Sequence, residues 1–331
     1  MSFKTNNSVT IGPMENIKEQ KTDIRYVFLL FIAAFIWGSA FVAQSKGMEF
    51  VGPFTFAGVR YTIGGIVLIP VILIKDKFLS KPELSNTRSK EDKEKDLKRL
   101  LKASIICGVC LTVASNLQQV GMQYTTVGKS GFLTALYIII VPIIGVFMKN
   151  RPGVNVWIAA CMSVIGLYLL CMKESFSLNK GDLLELLCAF GFSLHIIVID
   201  KYSPNVDGVK LSSLQFFVAG FISTFIAVIF EHPNVDQIID AALPILYAGL
   251  FSSGVAYTLQ VISQKKVAPT PASLVMSLES VVSAVSGWII LKEALGVREI
   301  WGCIIMFAGT VLAQIPARYF KLKRDAAGSK S

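Results

Sequence analysis

The chain has 331 residues, of which 53% are hydrophobic and only 16% charged, whereas an ordinary soluble domain carries about 25% charged residues. This composition excludes a conventional soluble domain and favours a membrane protein. The formal net charge of +10 would also suit a nucleic-acid-binding protein. Basic residues collect on the cytoplasmic loops of membrane proteins, however, so we expect no nucleic-acid partner.

Ten apolar segments follow one another along the chain, each close to the roughly 20 residues that a helix needs to cross a bilayer. Proline, glycine and charged residues separate them. Residues 1–24 are polar, and we expect the first apolar segment to be retained as an anchor. The predicted membrane helices, numbered spans 1 to 10, cover residues 25–45, 53–74, 101–122, 127–148, 154–172, 181–200, 211–230, 241–264, 268–291 and 296–316.

The basic residues divide unevenly between the two sides of this arrangement. With a cytoplasmic N-terminus, 25 of them fall on the cytoplasmic side and six on the outer side. This asymmetry predicts that tail 1–24, loop 75–102 and tail 317–331 are cytoplasmic. The loop ends in EDKEKDLKRLLK, whose i,i+4 Glu–Lys pairs predict a helical lead into span 3. Its charges could contact acidic lipid headgroups, although a solvated surface is the favoured interpretation.

The second half of the chain resembles the first. An offset of 142 aligns NLQQVGMQYTTVGKSGFLTALY (116–137) with TLQVISQKKVAPTPASLVMSLE (258–279). Past the next loop, an offset of 143 aligns WIAACMSVIG with IWGCIIMFAG. Five spans per repeat is an odd number, which reverses the second repeat in the membrane. We therefore predict an all-α polytopic protein of two inverted five-helix repeats, 25–172 and 181–316, with a substrate site near the midplane between them.

Polar side chains inside the spans are costly in hydrocarbon, so each predicts a function or a hydrogen bond between helices. The spacing groups Asn116 and Gln119 with Gln123 on one face of span 3, whereas the offset of 142 pairs Gln118 with Gln260. The sequence therefore leaves the inward-facing residue of span 3 open. The candidates for substrate contact are Trp37, Asn116, Gln118, Gln119, Thr134, Tyr137, His195, Tyr257, Gln260 and Glu279.

Four intramembrane residues have competing interpretations. Burial disfavours the charged form of a lone carboxylate, so Glu279 is the candidate for proton coupling or for binding a substrate ammonium, with a structural hydrogen bond as the alternative. Trp37 suits either ligand stacking or core packing. For His195 we favour a hydrogen-bonded core residue over one that lines a cavity. Arg60 in span 2 is expected to pack or to bind a loop carbonyl rather than to contact substrate.

The order of motifs along the chain resembles a known family. WGSAFVAQ in span 1, GPFTFAGVRY in span 2 and LQQVGMQYTTVGKSGFLTALY through span 4 are similar to the ten-helix EamA-type permeases of the drug/metabolite transporter superfamily. In the second repeat, YTLQVISQKKVAPTPASLVMSLES carries the likeness. The resemblance covers nearly all of residues 25–316. It implies a cell-membrane exporter or importer of small metabolites, often amino acids, whose spans 1, 3, 4, 6, 8 and 9 surround a cavity.

We expect a secondary transporter, with export as the favoured direction, that moves a small polar metabolite such as an amino acid by alternating access. Efflux of drugs or dyes is the alternative that the family allows. No segment reads GxxxxGK[ST], which argues against ATP drive by this chain. His195 lacks the partner in sequence that an intramembrane enzyme would need. We therefore expect no catalysis, no cofactor and no bound metal.

Overall fold

A computed structural model describes residues 23–78, 89–125, 127–149, 152–171, 179–290 and 296–315. The predicted tails 1–24 and 317–331 lie almost entirely outside these described residues, as does the 79–88 part of loop 75–102. Every regular element within the described residues is a helix.

Eight helical segments are long and apolar enough to cross a membrane, and Val154–Leu170 is apolar but shorter. Span 9 consists of two helices in succession. The prediction of ten spans and of an all-α membrane protein is thus confirmed. The helices are Ile24–Gly47 (span 1), Pro53–Phe78 (span 2), Lys90–Gly121 (span 3), Val127–Thr134 and Tyr137–Phe147 (span 4), Val154–Cys171 (span 5), Lys180–Tyr202 (span 6), Gly208–Phe230 (span 7), Ala242–Tyr247, Ala248–Tyr257 and Thr258–Ser263 (span 8), Pro269–Met276 and Glu279–Ile290 (span 9) and Val297–Gln314 (span 10), with short helices at Ser203–Asn205 and Val235–Asp240.

The helical lead into span 3 is confirmed. Ser89 caps its first turn, since the Ser89 hydroxyl accepts a hydrogen bond from the Asp92 amide at 3.1 Å. The predicted i,i+4 pairs are formed, with Lys95 Nζ 2.7 Å from Glu91 and Lys98 Nζ 2.6 Å from Glu94. All four side chains are exposed, so these pairs contribute little to stability.

Spans 5 and 10 pack through a symmetric pair of contacts. The offset of 143 aligns Ala159 with Gly302 and Gly166 with Gly309. A Cβ at Gly302 would lie 2.6 Å from the carbonyl oxygen of Gly166, and a Cβ at Gly309 would lie 2.9 Å from that of Ala159. Replacing Gly302 and Gly166 by the residues aligned with them, Ala159 and Gly309, turns the first contact into the second. A two-fold axis between the repeats requires such a pair of equivalent contacts. Close packing of small residues is the usual way in which helices associate in membranes.

Spans 2 and 7 run antiparallel and are joined at both ends. At one end, the Glu231 carboxylate accepts hydrogen bonds from the amides of Phe54 at 2.8 Å and Thr55 at 2.7 Å, and so caps the start of span 2. At the other end, Lys75 lies 2.5 Å from Asp207. Burial by itself raises the pKa of Asp207, but hydrogen bonds from Lys75 and from the first amides of span 7 outweigh it and hold the pKa below its usual value.

We predict that Gly302→Ala destabilises the protein, because its methyl group would clash with the backbone of span 5 and overpacking typically costs about 1–3 kcal/mol. Gly131→Ala is the matched control, since its Cβ would meet only Ser280 Oγ at 4.0 Å. The measurement is the thermal unfolding temperature of each purified variant in the same detergent. Equal unfolding temperatures for Gly302→Ala and the native protein would contradict the close approach of spans 5 and 10.

Candidate functional site

Spans 4 and 9 are both interrupted, and at aligned positions. The helices break at residues 135–136 and 277–278, which differ by the repeat offset of 142. At each break the backbone tightens to an i→i−3 bond: the Leu136 amide donates to Leu133 O at 3.2 Å, and the Leu278 amide donates to Val275 O at 3.2 Å. Such short tightened stretches within a helix often mark functional hinges. The two repeats therefore share one local distortion in the middle of the bundle.

The first residue after each break contacts the other. Tyr137 Oη donates a hydrogen bond of 2.8 Å to Glu279 Oε1, and both side chains are buried. These residues are aligned with one another by the offset of 142. In an inverted repeat, aligned residues can meet only on the axis that relates the repeats. The Tyr137–Glu279 contact therefore marks that axis.

A cavity surrounds this contact. It encloses about 470 Å³ of empty space, part of which is open to the outside. Seven of the ten candidate residues line it: Trp37, Gln118, Thr134, Tyr137, Tyr257, Gln260 and Glu279. Seven further lining residues were not among the candidates: Phe41, Gln44, Arg60, Phe192, Ile196, Ser252 and Met276. The lining comes from spans 1, 3, 4, 6, 8 and 9, as the resemblance implied, and also from span 2.

Asn116, Gln119 and His195 lie outside the cavity lining. The Asn116 amide donates to Ser223 Oγ at 3.0 Å and accepts in return at 3.2 Å, so it joins span 3 to span 7. Gln119 is fully buried, and its amide has no hydrogen-bond partner among the described residues. His195 Nε2 lies 3.2 Å from Gln215 Oε1. The structure thus selects Gln118 as the inward-facing glutamine of span 3 and places His195 in the core.

The cavity wall has a second carboxylate behind it. Gln118 donates to Thr134 Oγ1 at 3.1 Å, and the Thr134 hydroxyl donates to Glu185 Oε2 at 2.9 Å. Ser130 donates to the other Glu185 oxygen at 2.6 Å. Glu185 is fully buried. The sequence signal for it was present, since it is an acidic residue within the apolar LLELLC of span 6, but its place beside Thr134 depends on packing between spans 4 and 6.

Aromatic rings form another part of the wall. The Tyr257 ring lies 4.8 Å from the Trp37 ring in an edge-to-face arrangement and 6.4 Å from that of Tyr61. Trp37 Nε1 donates to the Ser252 carbonyl at 3.3 Å, within the π-helical segment Ala248–Tyr257 of span 8. Trp37 therefore has its polar group satisfied while its ring borders the cavity. Next to it, a Cβ at Gly38 would lie 2.5 Å from the Glu279 carbonyl oxygen, so spans 1 and 9 touch closely here.

Arg60 differs from the expectation that it packs away from the substrate path. Its side chain is buried, with 2% exposed, and it lines the cavity. Its guanidinium donates to Gln44 Oε1 at 3.2 Å and to Tyr61 Oη at 3.0 Å rather than to a loop carbonyl. Span 2 reaches the cavity because the long Arg60 side chain extends between spans. The hydropathy of span 2 alone does not predict such a contact.

Comparison with known proteins gives a consistent picture. An uncharacterized transporter of Archaeoglobus fulgidus is 25% identical over 310 residues, covering 92% of this chain and 89% of the relative. A 56-residue stretch is 38% identical to an S-adenosylmethionine/S-adenosylhomocysteine transporter of Chlamydia trachomatis, 17% of each chain. One crystal structure shares the fold, with a TM-score of 0.72 at 17% identity over 90% of this chain and 99% of the other. The EamA-like transporter family matches residues 24–172 and again residues 179–314. The chain therefore belongs to the EamA-like transporter family.

Proposed function

We propose that this protein is a secondary transporter that moves a small polar metabolite, such as an amino acid, through the central cavity by alternating access, with export as its direction. The observation that carries the proposal is the cavity around the Tyr137–Glu279 contact, lined by both polar and apolar side chains, on the axis between two inverted repeats. A midplane site between inverted repeats, bordered by interrupted helices, is common among secondary transporters.

The broken helices supply a physical route to alternating access. The breaks in spans 4 and 9 occur at aligned positions, so each repeat has the same helix interruption beside the cavity. If the two repeats exchange conformations, the cavity opens to one side of the membrane and then to the other. The Tyr137–Glu279 bond lies on the axis and is the contact that such an exchange must accommodate.

Glu279 is the proposed proton-coupling group. Its carboxylate is buried, and among the described residues Tyr137 Oη is its one hydrogen-bonding partner. A carboxylate with so few donors around it can change its protonation state when a substrate ammonium or a proton arrives. Glu185 has two hydroxyl donors and does not line the cavity, which suits a role in fixing Thr134.

Efflux of amphipathic drugs or dyes is the second candidate. The edge-to-face rings of Trp37 and Tyr257, together with Phe192 and Met276 on the wall, favour it because they offer stacking surface to a flat ligand. The Chlamydia trachomatis relative named for S-adenosylmethionine supports a metabolite instead, although its likeness extends over only 17% of this chain.

We also propose that the protein lies in the cell membrane with both termini in the cytoplasm, as the 25-to-6 distribution of basic residues suggests. A reporter that is active only in the cytoplasm, fused after Ser331, should give full signal. A reporter that is active only outside the cytoplasm, fused at the same position, is the control and should be silent. The reverse pattern at equal expression would reject this orientation.

Substitution of a cavity amide should separate transport from folding. Labelled metabolites should accumulate, chemically unchanged, in proteoliposomes containing the native protein but not in empty ones. Gln260→Leu should reduce that transport several-fold and leave the unfolding temperature nearly unchanged, because Gln260 lines the cavity. Gln264→Leu, four residues further along, should chiefly reduce stability, because Gln264 donates to the Ile196 carbonyl at 3.0 Å. Loss of folded protein in Gln260→Leu with full activity in Gln264→Leu would count against the cavity assignment.

Proton coupling through Glu279 predicts a specific change in pH dependence. Transport by the native protein should vary with pH, and Glu279→Gln should flatten that profile because glutamine mimics the neutral acid at similar volume. Glu279→Asp should remain pH-sensitive with altered efficiency, since it keeps the acid one methylene back. The measurement is the rate of transport in proteoliposomes across a pH series at matched protein levels. An unaltered profile in Glu279→Gln would show that Glu279 is structural and leave the transporter assignment standing.

A further inference from the structure

We propose that Arg60 binds a carboxylate group of the transported substrate, so that this cavity recognises small organic acids, and α-amino acids in particular. The inference rests on the proposed function, because it names the chemistry recognised in the same cavity. It assigns a binding role to Arg60, which was interpreted from the sequence as a packing residue.

Among the described residues, Arg60 has hydrogen-bond partners but no counter-ion. A guanidinium has five N–H donors and stays protonated in proteins. Its hydrogen bonds go to the Gln44 amide oxygen and the Tyr61 hydroxyl, which are both neutral, and its Nε has no hydrogen-bond partner among these residues. Within the part of the chain that the structure describes, no carboxylate lies close enough to form an ion pair with Arg60.

A buried charge without an ion-pair partner needs other stabilising interactions. An ionised group taken out of water costs several kcal/mol unless charged or polar partners offset the loss. The Tyr61 ring centroid lies 4.5 Å from Arg60 Cζ and the Phe56 ring centroid 5.8 Å, which offsets part of that cost through cation–π attraction. A substrate carboxylate would offset much more, since its two oxygens match the planar fork of a guanidinium.

Arg60 and Glu279 also give the cavity two groups of opposite charge type. Arg60 comes from the first repeat and Glu279 from the second, and both line the cavity. Arg60 is the only lysine or arginine among the lining residues that the structure describes. A zwitterion could therefore place its carboxylate at Arg60 and its ammonium at Glu279, in one orientation. Gln215 lies seven residues after the start of span 7 at Gly208, as Arg60 lies seven residues after the start of span 2 at Pro53. Gln215 is neutral and contacts His195 outside the cavity lining.

The test uses chemically matched probes on the full-length protein in proteoliposomes. A panel of labelled L-amino acids is compared with the corresponding amides, in which the carboxylate is neutral, and with the decarboxylated amines. Ethidium serves as the cationic dye probe. The native protein should transport the acid at least about tenfold better than its amide, the loss expected when a charge-assisted hydrogen bond is removed.

Variants then connect this preference to Arg60. Arg60→Gln keeps hydrogen-bonding capacity for Gln44 and Tyr61 but removes the charge, and it should reduce the acid-to-amide ratio to near one. Arg60→Lys keeps the charge and should retain part of the ratio. Arg298→Gln is the matched control, because Arg298 is exposed and lies over the Tyr168 ring outside the cavity, and it should leave the ratio unchanged.

The outcomes separate this inference from the proposed function. Equal transport of acid and amide, transport of only amines or ethidium, or an unchanged ratio in Arg60→Gln would each overturn the role of Arg60 and leave the transporter intact. If Arg60→Gln does not fold, the ratio in the native protein and in Arg60→Lys decides. A panel in which no probe moves would reject the proposed function, and the role of Arg60 with it.

Discussion

The hydrogen bond between Tyr137 and Glu279 is the contact around which the rest of the structure is arranged. In hydrocarbon a buried polar group needs a partner, and here each repeat satisfies a polar group of the other at the axis between them. Because the two residues are aligned, their helices approach the axis in the same way. The interruptions of spans 4 and 9, the close approach of Gly38 to span 9 and the cavity all lie beside this pair.

The surrounding helices secure this centre through close packing and through polar links at their ends. Spans 5 and 10 meet through Gly166 and Gly302, where backbones touch and a methyl group would clash. Spans 2 and 7 are joined instead at their ends, by Glu231 on one side of the bundle and by Lys75 with Asp207 on the other. Lipid tails are as apolar as these helices, so packing and terminal polar links must replace the hydrophobic effect.

Much of this arrangement could be predicted from the sequence because hydropathy and the repeat offset are properties of the chain itself. The offset of 142 predicted the equivalence of Tyr137 and Glu279 and paired Gln118 with Gln260, but it left the inward-facing residue of span 3 open. Helical spacing alone could not identify the inward face of span 3, because Asn116 forms a hydrogen bond with Ser223, which is more than a hundred residues away in the chain. For the same reason Glu185 was missed and Arg60 was interpreted as a packing residue away from the substrate. Their surroundings come from other helices, Gln44 for Arg60, and Ser130 and Thr134 for Glu185.

The differences between the repeats carry as much meaning as their likeness. Two identical inverted repeats would present the same groups to both halves of the cavity and could not orient a polar ligand. Here the aligned pair at the axis is a tyrosine in one repeat and a carboxylic acid in the other, and the arginine of span 2 has a neutral counterpart in span 7. The cavity lining therefore includes a cationic residue from the first repeat and an acidic residue from the second. Under the proposed function, these two different groups would give an asymmetric substrate one orientation within a symmetric scaffold. The substrate would keep that orientation while the two repeats exchange conformations.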